Sequence, residues 1–248
     1  MRLLVYQYLL ISLTLISTHV QAKEQHFSSG QQQTVLIELY TSEGCSSCPP
    51  AEEYLNALKH HPQLWTAYIP VAFHVDYWDY LGWRDPYAHM THAKRQSWYA
   101  KLRNLRTVYT PAFLVNGKAW RPGRLNRELP KSGLKGGELE VTVNGKQLSA
   151  SYNPPATRTE KLTLNIAVLA MNLVSQIQAG ENTGRTASHE FVVVGYKTLD
   201  STDNHWKTSL PALHYNAAEE YAIAVWLNRL YDPTPLQAAG GKLPQFIE

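Results

Sequence analysis

The spacing of apolar and polar positions changes several times along the chain, and each change predicts an element. Residues 34–40, TVLIELY, are apolar on both faces of an extended chain, as a central parallel strand requires. The run PPAEEYLNALKHH, residues 49–61, takes up helical spacing, with Leu55 and Leu58 on its apolar face and Tyr54 near them. Pro49 suits a first turn, where its missing N–H would have had no partner, and Glu52 and Glu53 suit the positive end of the helix dipole. A second strand is predicted over 68–75 and a second helix over 86–104. A strand over 112–115 then meets a tight hairpin turn at Asn116-Gly117. The order through this half is β-α-β-α-β-β.

Beyond KSGLKGG, residues 131–137, which reads as a linker, the period becomes two. Leu139, Val141 and Val143 alternate, Asn144-Gly145 turns, and Leu148, Ala150 and Tyr152 alternate back. Further strands are predicted over 162–171, 190–199 and 221–230, with little helical pattern between them. The expected organisation is an α/β domain at 34–130 and a smaller β-rich domain at 138–232, an antiparallel sandwich or curled sheet. A polar, flexible lead-in is expected at 23–33 and a C-terminal tail at 233–248.

Composition narrows the class. A 44% hydrophobic fraction can build a core, and a net charge of +3 lacks the clustered basic face of a nucleic-acid binder. The first 22 residues have Arg2, an apolar stretch, and Val20 and Ala22 placed as a small-residue cleavage site. They read as a signal peptide, so the mature chain is expected to be exported, periplasmic or secreted, with no stable membrane anchor after cleavage. Disulfides persist in such a compartment.

That compartment gives weight to TSEGCSSCPP, residues 41–50, which holds the chain's two cysteines, Cys45 and Cys48. Two intervening residues set them one helical turn apart at a predicted helix start. Free N–H groups and the helix dipole would favour the thiolate of Cys45, and Cys48 would resolve a mixed disulfide. A passive crosslink over so short a loop restrains little unfolded-chain entropy. Copper binding by Cys45, Cys48 and His74 is an alternative, as is a binding module whose cysteines are merely oxidised. Pro111 opens the strand at 112–115. In cis it would turn the backbone of Thr110 toward the cysteines to hydrogen-bond an incoming peptide; a trans proline on an edge strand is the plainer alternative.

Several other residues carry expectations. Glu38, within an apolar strand, would serve Cys48 as a proton acceptor if it points that way. Glu43 is expected to point outward from its turn. The stretch HVDYWDYLGW, residues 74–83, follows the second strand and is expected to border the cysteines, with His74 and Asp76 in support. His89 and His92 read as a solvated helix face. Asn182, Arg185 and His189 lie in a polar loop that either reaches the site or merely connects strands.

The segments ELYTSEGCSSCPPAEEYL, FHVDYWDYLGWRDPYA, TPAFLVNG and GENTGRTASHEFVV resemble an exported family known as domain of unknown function twelve twenty-three, over most of the chain. Residues 34 to about 125 also resemble a thioredoxin-like domain. The resemblance implies an α/β thioredoxin-like domain followed by the β-rich one. It implies thiol–disulfide chemistry by Cys45, Cys48 and Pro111 on a protein thiol or disulfide, with a redox partner and no cofactor beyond the cysteine pair. The sequence departs from a typical thioredoxin in Gly44, Ser46-Ser47, Pro50 and the position of Glu38, and the direction of electron flow stays open.

Overall fold

A computed structural model describes residues 24–102, 104–123, 128–156 and 160–243; the expected signal peptide lies outside them. In chain order the elements are β1 (Gln25–Ser28), β2 (Val35–Thr41), α1 (Pro49–Ala57), β3 (Tyr68–His74), α2 (Met90–Lys101), β4 (Ala112–Val115) and β5 (Lys118–Trp120). They continue with β6 (Glu138–Asn144), β7 (Gln147–Asn153), β8 (Leu162–Met171), β9 (Leu173–Gln176) and β10 (Thr186–His189). The last four are β11 (Val192–Ser201), β12 (His205–Ser209), β13 (Glu220–Arg229) and β14 (Pro235–Leu243).

One sheet of eight strands, β14-β13-β8-β11-β3-β2-β4-β5, forms the body of the molecule. Within it β2 and β3 run parallel, β11 runs parallel to β3, and the other neighbours are antiparallel. Strand β8 shows why the sequence builds this body. Its alternate residues Leu164, Ile166 and Val168 pack with Leu139 and Val141 of β6 under the four-stranded sheet β1-β6-β7-β12. The residues between them, Ala167 and Leu169, join the core around Phe73 and Trp226. A strand covered on both faces must be apolar on both, because alternation sends successive side chains to opposite sides.

The expected fold class is overturned. The chain is not an α/β thioredoxin-like domain followed by a smaller β-rich one. Fourteen strands and only two α-helices occur among the described residues, and strands from both halves share one sheet. The joint is β11 against β3, where Ala72 N donates to Phe191 O at 2.8 Å and Val192 stands opposite Ala72. Without β11, β3 would present a bare edge flanked by apolar faces, and pairing removes that edge.

Both chain ends also differ from expectation. The lead-in is a strand: β1 pairs with β6 from Gln25 opposite Val143 to Ser28 opposite Glu140. Within the expected tail, Pro235–Leu243 is a strand as well, running antiparallel along β13. Glycine lets this happen at Gly241, where a Cβ would stand 2.6 Å from the Phe27 ring. The second helix starts at Met90 rather than near 86, because the His89 side chain accepts from Thr91 N and caps it. No helix among the described residues is long and apolar enough to cross a membrane.

Candidate functional site: a disulfide turn beside a buried acid–histidine cluster

Strand β2 delivers the chain into a tight turn, in which Cys45 N donates to Ser42 O (3.1 Å) and Cys48 N to Cys45 O (3.2 Å). Cys45 and Cys48 are joined as a disulfide with Cα atoms 5.4 Å apart. Cys48 is the N-cap of α1, so Cys45 lies three residues before it. The expected ring of free N–H groups is missing. Pro49 and Pro50 have none to offer, and the amides of Ala51 and Glu52 both donate to Cys48 O, at 2.9 and 3.1 Å. What remains to favour a Cys45 thiolate is the dipole and the Ser47 hydroxyl, 3.4 Å from Cys45 Sγ. Both cysteines are covered, at 2% and 0% exposure, while Ser46 and Ser47 between them are exposed.

The loop after β3 does border this turn. A Cβ on Gly44 would lie 3.1 Å from the Trp78 Cβ and 3.3 Å from its carbonyl oxygen, so a side chain before Cys45 would press directly on Trp78. The Trp78 indole donates to Thr110 Oγ1 at 2.7 Å, and the Thr110–Pro111 bond is cis. Thr110 and Pro111 line a groove of about 570 Å³ with Ser47, Tyr54, Phe113 and Trp120.

Behind the turn lies a cluster that the sequence reading largely missed. Glu43 does not point outward. It is 2% exposed, and its carboxylate receives the Trp83 indole N–H at 2.7 Å and contacts His189 Nε2 at 2.9 Å. His189 Nδ1 faces Glu52 Oε2 at 3.2 Å, within ion-pair reach but outside hydrogen-bond geometry. The Thr41 hydroxyl donates to the other Glu52 oxygen. His74 Nδ1 lies 2.7 Å from Asp85 Oδ2, which also accepts from Glu43 N at 2.8 Å. Asn182 ties the cluster to the disulfide turn by donating to Glu43 O (2.7 Å) and Cys45 O (3.0 Å). Of the polar loop, then, Asn182 and His189 reach the site, whereas Arg185 stands exposed at the rim of the cavity beside it.

The charges in this cluster are set by burial and mutual contact. Burial pulls an imidazole down, but the contacts of His189 with Glu43 and Glu52 outweigh it and lift the group to about 10. Burial pushes Glu52 up, yet His189, His74 and the Thr41 hydroxyl hold it below the ordinary carboxylate value. Asp85 is likewise held low against burial by His74 and by the amides of Glu43 and Tyr87. Glu52, His74 and His189 each offer a ligand atom, and the three atoms lie within 4.8 Å of one another.

The remaining expectations fare differently. Glu38 does not serve Cys48. Its carboxylate pairs with Arg95 Nε at 2.8 Å and accepts from the Tyr40 and Tyr99 hydroxyls at 2.9 and 2.6 Å. Thr41 reaches Glu52 of α1 while Glu38 reaches Arg95 of α2, as alternation along β2 dictates. Asp76 is half-buried on the loop, and the acid that pairs with His74 is Asp85 instead. His92 is not solvated. It is 1% exposed, its Nδ1 lies 2.7 Å from His74 O, and burial pushes its pKa down to about 3. One signal in the sequence pointed to Glu52: it stands four residues after Cys48, on the same face of α1. Trp83 lies in the stretch 74–83 that the sequence placed beside the cysteines, whereas nothing local marked Asp85.

The fold and the site define a β-rich protein that carries a disulfide turn at a helix start, backed by buried carboxylates and imidazoles. The family model described as "Protein of unknown function (DUF1223)" matches residues 36–228, and the chain belongs to that family. Among solved structures, protein AGR_C_4864 from Agrobacterium tumefaciens is similar at 22% identity, with a TM-score of 0.62, covering 88% of this chain and 98% of that one. HBP35 of Porphyromonas gingivalis is similar in fold at 12% identity, with a TM-score of 0.57, covering 87% and 76%. No curated protein sequence matches the chain.

Proposed function

We propose that the protein is an exported thiol–disulfide exchange protein acting on protein thiols or disulfides. The observation that carries this reading is the placement of the chain's two cysteines. They close a disulfide at the start of α1, next to an aromatic groove headed by Thr110 and Pro111. An extended peptide in that groove would bring its own sulfur toward Cys45.

Exchange would begin when a substrate thiolate attacks Cys45 Sγ. The new sulfur–sulfur bond joins substrate to Cys45, and Cys48 leaves as a thiolate. A second substrate thiolate then attacks the substrate sulfur of that mixed disulfide and releases Cys45. The substrate loses two electrons and two protons and gains a disulfide, while the cysteine pair is reduced and needs a redox partner to reoxidise it. With a substrate disulfide the same steps run in reverse.

Burial of Cys45 favours a second reading, in which the disulfide is a fixed part of the turn. Equilibrium titration in thiol buffers separates the two. With the first-turn amides withheld, little stabilises the reduced thiolate, so a reversible two-electron transition is expected at or below roughly −270 mV. A Cys48→Ala variant is expected to accumulate mixed disulfide on Cys45. A pair that shows no reversible transition, with no trapped adduct on the variant, identifies the fixed crosslink instead.

A further inference from the structure

We propose that Glu52, His74 and His189 bind a divalent transition-metal ion of the zinc type. The site is distinct from the cysteine pair and uses no sulfur. The first argument is the donor set. Two imidazoles and one carboxylate, with a further position left for water, form a known arrangement for zinc. The His189 Nδ1 to Glu52 Oε2 separation of 3.2 Å is near the edge of a tetrahedron built on bonds of about 2.0–2.1 Å, roughly 3.4 Å.

The second argument is the orientation of the rings. A metal-bound histidine uses one nitrogen for the ion and donates its other N–H to a carboxylate, which fixes the tautomer. Both histidines here are arranged in this way. His74 Nδ1 is taken by Asp85 at 2.7 Å, and His189 Nε2 is taken by Glu43 at 2.9 Å. The opposite nitrogen of His189 is aimed into the cluster, is 98% buried by residue, and has no hydrogen-bond partner. A buried nitrogen whose sole polar neighbour, Glu52 Oε2 at 3.2 Å, lies outside hydrogen-bond geometry is poorly satisfied, and a metal ion held by both groups would satisfy it.

The third argument is charge. Glu43, Glu52 and Asp85 are three buried carboxylates, and their ion pairs among the described residues are with histidines alone, not with lysine or arginine. A divalent cation would offset most of that charge while leaving both imidazoles neutral. A cavity of about 180 Å³, lined by Glu43, Glu52, Asn182, Arg185 and His189, supplies an approach and space for a bound water.

Cobalt(II) is the probe that tests the proposal, because its spectrum reports the ligand atoms. The chelator-treated protein is expected to bind one cobalt ion, giving visible bands of low-symmetry coordination and no sulfur-to-metal charge-transfer band. Zinc chloride should displace it. The Cys45→Ser, Cys48→Ser double variant should bind as the unaltered protein does. Glu52→Gln and His189→Gln are each expected to weaken binding at least a hundredfold, and Asp85→Asn about 10–100-fold. Absence of binding to the unaltered protein would overturn the proposal. A sulfur band lost with the cysteines, or undiminished affinity in Glu52→Gln and His189→Gln, would also overturn it. If the ligand variants do not fold, the spectra of the unaltered and cysteine-free proteins decide the matter by themselves.

Discussion

Arg95→Met is expected to destabilise the protein by about 3–5 kcal/mol, the range for leaving one partner of a buried ion pair alone. Glu38 is fully buried, and Arg95 is its cationic partner. Glu38 pulls the Arg95 guanidinium further toward its charged form, against the opposing effect of burial. The same guanidinium lies 4.9 Å from the Trp226 ring centroid and 5.3 Å from that of Tyr99, and it donates to Asn165 Oδ1 and the Tyr196 hydroxyl. Methionine keeps much of the volume, so the loss reads mainly on the stranded carboxylate. Adding Glu38→Gln should restore at least half of it, because a missing pair costs less than a broken one. Urea unfolding of the three proteins measures both quantities. A loss below about 1 kcal/mol in the single variant would show that Glu38 is kept neutral or reaches another donor.

The second large effect is a stability maximum near pH 6.5 in metal-free protein, with losses on both sides. Unfolded histidine titrates near 6.5, whereas folded His189 titrates near 10 and folded His92 near 3. A raised folded value gives stability that is fully present below the unfolded value. The His189 contribution therefore fades as pH climbs from about 6.5 through about 10. A lowered histidine works the other way. Below about 6.5 the unfolded chain takes up a proton that His92 refuses until about 3, so stability falls as the solution turns acid. Burial is the leading cause for His92, and neighbouring His74, His89 and His214 add to it. Each limb is expected to span a few kcal/mol. His92→Gln should shrink the acid limb to the share that His214, also lowered by burial, contributes, and leave the alkaline one in place. Unfolding free energies from pH 4 to pH 10 in chelator would show the maximum, and a flat profile would contradict it.

What the sequence made legible was local. The Asn144-Gly145 hairpin, the apolar strand at 162–171 and the turn through Cys45 each carry their signal within a dozen residues. Pairings over long distances had no such signal. Nothing in Ala72 or Val192 announces that they stand opposite each other, and that one register turns two expected domains into a shared sheet. Glu38 finds Arg95 across 57 residues, and Glu43 finds His189 across 146. Without those partners a buried carboxylate looks like a solvated one. The last strand was hidden by its own chemistry. Gly240 and Gly241 argue against a strand, but a Cβ on Gly240 would come 2.4 Å from Ile223 O, so close approach of the backbone is what selects glycine there.

Asn182 hydrogen-bonds the carbonyl of Cys45 across 137 positions of chain, which makes timing part of the design. A polypeptide made N-terminus first at roughly 5–20 residues per second carries both thiols for about 7–27 s before that amide exists. For an exported chain, an oxidant met before folding is complete would reach both thiols ahead of the cover that β9, β10 and their loop bring. A pair joined before that cover forms would enter the folded protein as the oxidised disulfide, whereas a pair still reduced at that stage would meet its oxidant only through the turn at Ser46 and Ser47.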